Sequence, residues 1–294
     1  MENLILDIEN LQRKLDGITI IKSLSAEVKA GDVVALLGKN GAGKTTLLET
    51  LLGFSFPAFG SVKVFGETAT EIKGDIKQRI GFVPQQDELL ASFNGREHIE
   101  LFKSFRKVWN KDLVDRLTAE WLIPMDIAAR KMSVGQRQKL SILLAIAHEP
   151  ELLILDEPVA SLDPIARRQF LQQLVDIAAD ENRAIIFSSH IVSDMERVAN
   201  QVWMLQSGEL SYQGGLDELK ESIARITINA QDDLPANLGV PNANIVKQRI
   251  QGKQAWLTLK NWSSEQQAFI EQQLNAEVYV EYLSLEDIFL ELNA

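Results

Sequence analysis

Short apolar runs alternate along the chain with stretches of helical period, and their order predicts a layered α/β domain followed by a smaller one. Residues 4–11 and 18–28 predict strands, and the alternation over 18–28 suggests a sheet with one wetter face. Residues 33–37 form a continuous apolar run after the Ala30-Gly31-Asp32 turn, so that 32–37 predict a buried strand; residues 45–52 carry helical spacing and stop at Gly53. Residues 60–66 and 79–86 predict two short strands, the second ending at Pro84. Residues 94–149 read mostly helical, with an interruption at Pro124 and Ser133 placed to cap a helix from about Gly135 to His148. The apolar residues 152–155 predict a central parallel strand. A helix over 164–179, a strand over 183–189 and a short helix over 193–198 follow. A hairpin over 202–212 turns at Gln206-Ser207-Gly208.

The pattern changes after about residue 222. Strands are expected at 226–228, 244–250, 255–259 and 277–282, with a turn at Gln251-Gly252-Lys253. Ser263 or Ser264, followed three residues on by a glutamine, opens a helix in a capping-box pattern, and Ser284 opens a last amphipathic helix. The expected domains are residues 1–222, with a helical part at about 87–150, and a small α+β unit at 223–294.

Composition narrows the field. The 294 residues are 46% hydrophobic and 24% charged, a globular profile with enough apolar material for a sizeable core. A net charge of −11 argues against a broad grip on nucleic acid, and no nucleic-acid partner is expected. The absence of cysteine excludes disulfides, thiol catalysis and zinc–thiolate sites. Met1 to Asp7 has no basic segment before an apolar one, so a signal peptide is not expected. No apolar run approaches the roughly 18 residues of a membrane span.

The chemistry concentrates first in Gly38-Lys39-Asn40-Gly41-Ala42-Gly43-Lys44-Thr45, followed by Thr46. The spacing is that of a phosphate-binding P-loop between a strand and a helix. A triphosphate needs inward-facing N–H groups with no side chains in the way, which glycine's access to positive φ permits. The helix N-terminus adds a positive dipole end, Lys44 is placed to reach the β- and γ-phosphates, and the Thr45 hydroxyl is placed to bind Mg²⁺. A second concentration, Asp156-Glu157, emerges at the C-terminal end of the 152–155 strand, where open α/β sheets place ligands. Asp156 suits Mg²⁺, and Glu157 suits polarisation of an attacking water.

With these motifs in place the chain resembles the nucleotide-binding subunit of an ATP-binding cassette (ABC) transporter, over about residues 4–215. Gln85 matches the Q-loop glutamine, which in that family reaches Mg²⁺ and water. Met132-Ser133-Val134-Gly135-Gln136 matches the signature sequence, Ala160-Ser161-Leu162-Asp163 the D-loop, and His190 the switch histidine that contacts the γ-phosphate. The resemblance implies a P-loop NTPase cassette: a mixed sheet core, an antiparallel β subdomain and a helical subdomain. It implies ATP and Mg²⁺ as ligands, the metal held by Thr45, Gln85 and Asp156. It also implies a second ATPase subunit, expected to be the same chain, whose P-loop faces this chain's Ser133. The last implied partner is a transmembrane permease that holds the protein at the cytoplasmic face of the cell membrane.

Two positions depart from the family pattern. Val134 stands where the signature usually has glycine, and Leu15 stands at the expected position of an aromatic that stacks on adenine. The stretch from Leu283 to Leu292 resembles the tail of ATPase subunits serving ABC-2 type exporters. A soluble ABC-type ATPase acting on ribosomes or nucleic acid is the alternative, and a binding module with inactive sites a further one. The remaining histidines are expected to be ordinary: His98 a surface or interface residue, His148 a helix-end residue where positive charge is favourable.

Overall fold

The computed structural model describes residues 4–293, which form two compact units divided between Gln213 and Gly214. The first unit opens with β1 (Leu4–Leu15) and β2 (Ile18–Lys29), an antiparallel pair. Its link is Asp16-Gly17, both at positive φ, the backbone that a two-residue hairpin turn requires. The wholly buried β3 (Val33–Leu37) leads through the P-loop into α1 (Lys44–Leu51). Next come β4 (Phe59–Val64), β5 (Glu67–Thr68), the single turn α2 (Gly74–Lys77) and β6 (Ile80–Val83). The helical part holds α3 (Gly95–Ser104), α4 (Lys111–Glu120) and α5 (Val134–Ile146), and α5 packs against the other two. The chain returns with β7 (Leu152–Leu155), α6 (Pro164–Ala178), β8 (Ala184–Ser188), the short α7 (Val192–Met195), β9 (Gln201–Gln206) and β10 (Glu209–Gly215).

These strands make two sheets. One is antiparallel, in the order β2-β1-β4-β5. The other has the order β10-β9-β3-β8-β7-β6, with parallel pairing from β9 through β6. The two-residue Ser207-Gly208 link makes β10 antiparallel to β9, so the sheet is mixed. β3, β7 and β8 are buried along their whole length, which is why they read as unbroken apolar runs. Apolar residues of both sheets and of α1 fill one core, among them Leu6, Ile21, Leu47, Leu51, Ile154 and Trp203. The 193–198 helix of the sequence reading is shorter and earlier, at Val192–Met195.

The second unit begins with α8 (Leu216–Ser222) and continues as β11 (Ile223–Ala230), β12 (Ile245–Gln251), β13 (Gln254–Lys260), α9 (Ser264–Leu274), β14 (Ala276–Tyr282) and α10 (Leu285–Leu292). Its antiparallel sheet has the order β12-β13-β11-β14. Alternation puts Ala224, Ile226 and Ile228 of β11 in one core with Ala255, Leu257 and Leu259 of β13 and Ile270 of α9. On α10, Glu291 receives Arg225 at 3.0 Å and Lys247 at 3.4 Å. The boundary expected at residue 222 falls earlier. Leu216 and Leu219 of α8 are buried, and α8 packs on β11 and α10, so the helix belongs with the second unit.

Candidate active site

β3 delivers the chain to Gly38 deep in the sheet, where a Cβ would stand 2.6 Å from the Leu205 carbonyl oxygen. The loop then turns through Ala42 N–H donating to the Lys39 carbonyl at 3.1 Å. Gly43, at φ 105°, caps α1 in a conformation that side chains resist, and a Cβ there would press on Ile20 and Ile21 of β2. Lys44 is 7% exposed. Its ammonium donates to the Gly38 carbonyl at 2.8 Å and lies 3.8 Å from Glu157 Oε1. The loop lines a cleft of about 660 Å³ through Asn40, Gly41, Gly43, Lys44, Thr45 and Thr46, and Gln85, Glu157 and His190 line it from other segments. Loop amides, a helix N-terminus and one cation facing an open cleft make an anion site of the size a nucleotide needs.

Asp156 and Glu157 follow the end of β7: Glu157 lines this cleft, and Asp156 lines an adjoining cavity of about 200 Å³ that shares Thr45 and Gln85 with it. Asp156 is buried and accepts the Thr45 hydroxyl at 2.6 Å on Oδ2 and the Ser188 hydroxyl at 2.6 Å on Oδ1. Glu157 has φ 48°, and its N–H donates to Ser188 Oγ at 2.9 Å. Its Oε2 lies 3.3 Å from His190 Nδ1, and the histidine ring is half exposed. The donor set suits a hard divalent cation: the Thr45 hydroxyl and the Asp156 carboxylate converge, and Gln85 lines the same adjoining cavity. Among the described residues no group of three His, Cys, Asp or Glu could hold a metal by itself. A cation bound here would need further oxygen ligands, such as phosphate oxygens or water, to complete its coordination.

The signature residues lie elsewhere. Ser133 caps α5 in a full capping box: its hydroxyl accepts Gln136 N–H at 3.2 Å, and Gln136 Oε1 accepts Ser133 N–H at 2.8 Å. Val134 is 54% exposed and lines a second cavity, of about 390 Å³, with Ala160 and Ser161. A Cβ at Gly135 would stand 3.1 Å from the Ser161 carbonyl oxygen, so glycine lets the signature sit against the D-loop. Asp163 caps α6, its Oδ1 accepting the N–H groups of Ile165 and Ala166 at 3.0 Å each. Those bonds, that from Ala166 foremost, hold its carboxyl below the usual range. None of Ser133, Val134, Gly135, Gln136, Ser161 and Asp163 lines the P-loop cleft.

Three sequence readings need correction. Leu15 is exposed beside the β1–β2 turn and does not line the cleft; Ile20 of β2 forms its apolar wall instead. His98 is fully buried: Nε2 accepts Leu90 N–H at 3.0 Å and Nδ1–H donates to the Asn94 carbonyl at 2.7 Å, which pins the segment before α3. His148 is also buried and not a helix-end cation, because burial, followed by the Arg106 charge, pushes its pKa down to about 4. Two residues went unread. Ser188 joins both acids. Arg137 of α5 donates to Asp87 at 2.9 Å and to the Met132 carbonyl at 2.9 Å, tying the segment after Gln85 to the signature. A lone serine and a lone arginine carry no spacing signal, so only the fold reveals them.

Comparison with known proteins agrees with this arrangement. The family model described as ABC transporter matches residues 21–160. The ABC transporter ATP-binding protein YtrB of Bacillus subtilis is 28% identical over 288 residues, covering 97% of each chain. The bacitracin transport ATP-binding protein BcrA of Enterococcus faecalis is 30% identical over 227 residues, 76% of this chain and 73% of that one. Among solved structures, the ATP-binding subunit of an ABC transporter superposes with a TM-score of 0.68 at 25% identity, over 74% of this chain and 92% of the other. The chain thus belongs to the ABC transporter family, as an ATP-binding subunit that hydrolyses ATP.

Proposed function

We propose that this subunit works as a pair of identical chains that close on two ATP molecules and so drive export through a separate ABC-2 type permease at the cytoplasmic face of the membrane. The observation that carries this reading is the separation of two phosphate-binding helix ends on one chain. The N-terminus of α1 faces the cleft, while the capped N-terminus of α5 does not line it. A nucleotide held by one P-loop is left open on the side that a second copy's Ser133 would cover. ATP then favours the closed pair over the open one, and hydrolysis removes that preference.

Within each half, Lys44 exchanges the Gly38 carbonyl for the β- and γ-phosphates. Thr45, Asp156 and Gln85 would hold Mg²⁺, which would supply charge neutralisation at the phosphates. Glu157 accepts hydrogen-bonding from the attacking water, and His190 steadies Glu157 from its open side and reaches the γ-phosphate. Export is supported by the similarity to a Nod factor export ATP-binding protein of Cupriavidus metallidurans, 30% identical over 74% of this chain, and by the tail from Leu283 to Leu292. Among the described residues no helix is long and apolar enough to cross a membrane, and the reading assigns the spanning part to a separate permease. The acidic net charge speaks against the ribosomal or nucleic-acid alternative.

The reading is tested by affinity purification of the tagged chain from detergent-solubilised membranes. A multi-span membrane protein in stoichiometric amount is the expected result. Recovery of ribosomal or other soluble partners alone would contradict it.

A further inference from the structure

One buried hydroxyl touches both acids of the site. Ser188 is the last residue of β8 and has no solvent exposure. Parallel register sets it beside Leu36 of β3 and one step beyond the Phe187–Leu155 pair, so it stands between the strand that feeds the P-loop and the strand that feeds the acids. A hydroxyl has one proton to donate and lone pairs to accept. Here the proton goes to Asp156 Oδ1 at 2.6 Å, and the oxygen accepts Glu157 N–H at 2.9 Å.

Both bonds set direction. With Oδ1 held by Ser188, the Asp156 carboxylate cannot rotate, and Oδ2 stays on the Thr45 side at 2.6 Å, where the metal donors converge. At Glu157 the backbone bends into the left-handed region, with φ 48°, which non-glycine residues seldom adopt. The Ser188 oxygen receives the N–H that this bend turns inward. The bend in turn aims the carboxylate at the space between Lys44, 3.8 Å away, and His190, 3.3 Å away. An apolar side chain at position 188 would leave a buried carboxylate oxygen and a buried N–H unpaired. Ser188 itself does not line the cleft.

We infer that Ser188 is a positioning residue for ATP hydrolysis: through one hydroxyl it fixes the metal-facing oxygen of Asp156 and the backbone bend that aims Glu157. It acts through those two acids, and so rests on the roles proposed for them. It has no part in holding the phosphates, which is the work of the P-loop. Its loss therefore separates turnover from nucleotide binding.

The test compares the full-length wild type with Ser188→Ala and Ser188→Cys. The cysteine fills the space of the serine but is a weak hydrogen-bonding group. ATP affinity is measured in EDTA and again with Mg²⁺, alongside kcat, KM, the Mg²⁺ concentration at half-maximal rate and the melting temperature. Both variants are expected to bind ATP in EDTA within about twofold of wild type and to lose roughly tenfold to a hundredfold in kcat, with KM changed by less than about threefold. Both are also expected to need several-fold more Mg²⁺ for half-maximal rate. Two results would overturn the proposal. One is turnover within about twofold of wild type in either variant. The other is loss of ATP binding in EDTA in step with kcat, which would mark Ser188 as a fold-holding residue only. Glu157→Gln is run in parallel: if that variant hydrolyses ATP at the wild-type rate, the role of Glu157 fails, and that failure is distinguishable from a failure at Ser188.

Discussion

His148 shows what burial does to a single ring. It has lost solvent, and Nε2–H donates to the Ile80 carbonyl at 3.0 Å. Burial, then the Arg106 charge, lowers its pKa from 6.5 to about 4. The neutral ring is therefore the folded form, and the unfolded chain binds the proton more readily between these two values. Stability from this site is complete above the unfolded pKa and is lost as pH falls from about 6.5 towards 4, by about 3 kcal/mol in all. Urea midpoints at pH 7 and pH 5 check this: the drop in wild type is expected to shrink in His148→Leu, and an equal drop in both would contradict it. At this scale the sequence was readable where residue types sit in fixed spacing, as in Gly38 to Thr45 or Asp156-Glu157. It was silent on Ser188, Arg137 and the burial of His98 and His148, because each depends on a partner far away in the chain.

At the scale of elements, the hydrophobic pattern placed the strands and helices well, because β3, β7 and β8 are buried on both faces and α5 and α9 carry complete capping boxes. It did not place side chains along β2. Register shifts interrupt the β1–β2 pairing between Ile8 and Lys14, so counting from the turn does not tell which residue reaches the cleft. A distant contact decides it. Gly208, at φ 82° in the β9–β10 turn, comes so close to β2 that a Cβ would stand 2.1 Å from the Ile20 carbonyl oxygen, and Lys22 N–H donates to the Gly208 carbonyl at 3.0 Å. These contacts hold Ile20 over Gly43 and leave Leu15 in solvent. Ile20→Ala is expected to weaken ATP binding about fivefold, the cost of roughly 1 kcal/mol of apolar contact, while Leu15→Ala leaves it unchanged. Equilibrium binding of ATP to the two variants is the check, and the opposite ranking would restore Leu15 as the apolar contact.

For the whole molecule, composition and pattern foresaw two units but set the boundary at residue 222. The sequence pattern changes only after about residue 222, and the helix that follows Gly215 is mostly polar, with Asp217, Glu218, Lys220 and Glu221 along it. The two apolar positions that do point inward, Leu216 and Leu219, are enough to seat it with the second unit. The larger question is why a single chain carries two phosphate-binding helix ends that do not meet. In the proposed pairing they meet across two chains, with ATP between them. The most direct measurement is sedimentation velocity on Glu157→Gln with Mg²⁺ and either ATP or ADP. This variant keeps Lys44, Thr45 and Asp156 but lacks the carboxylate proposed to polarise water. It is expected to sediment as a dimer with ATP and a monomer with ADP, with turnover reduced at least about a hundredfold. A variant that stays monomeric with saturating ATP, or that hydrolyses ATP at the wild-type rate, would contradict the account.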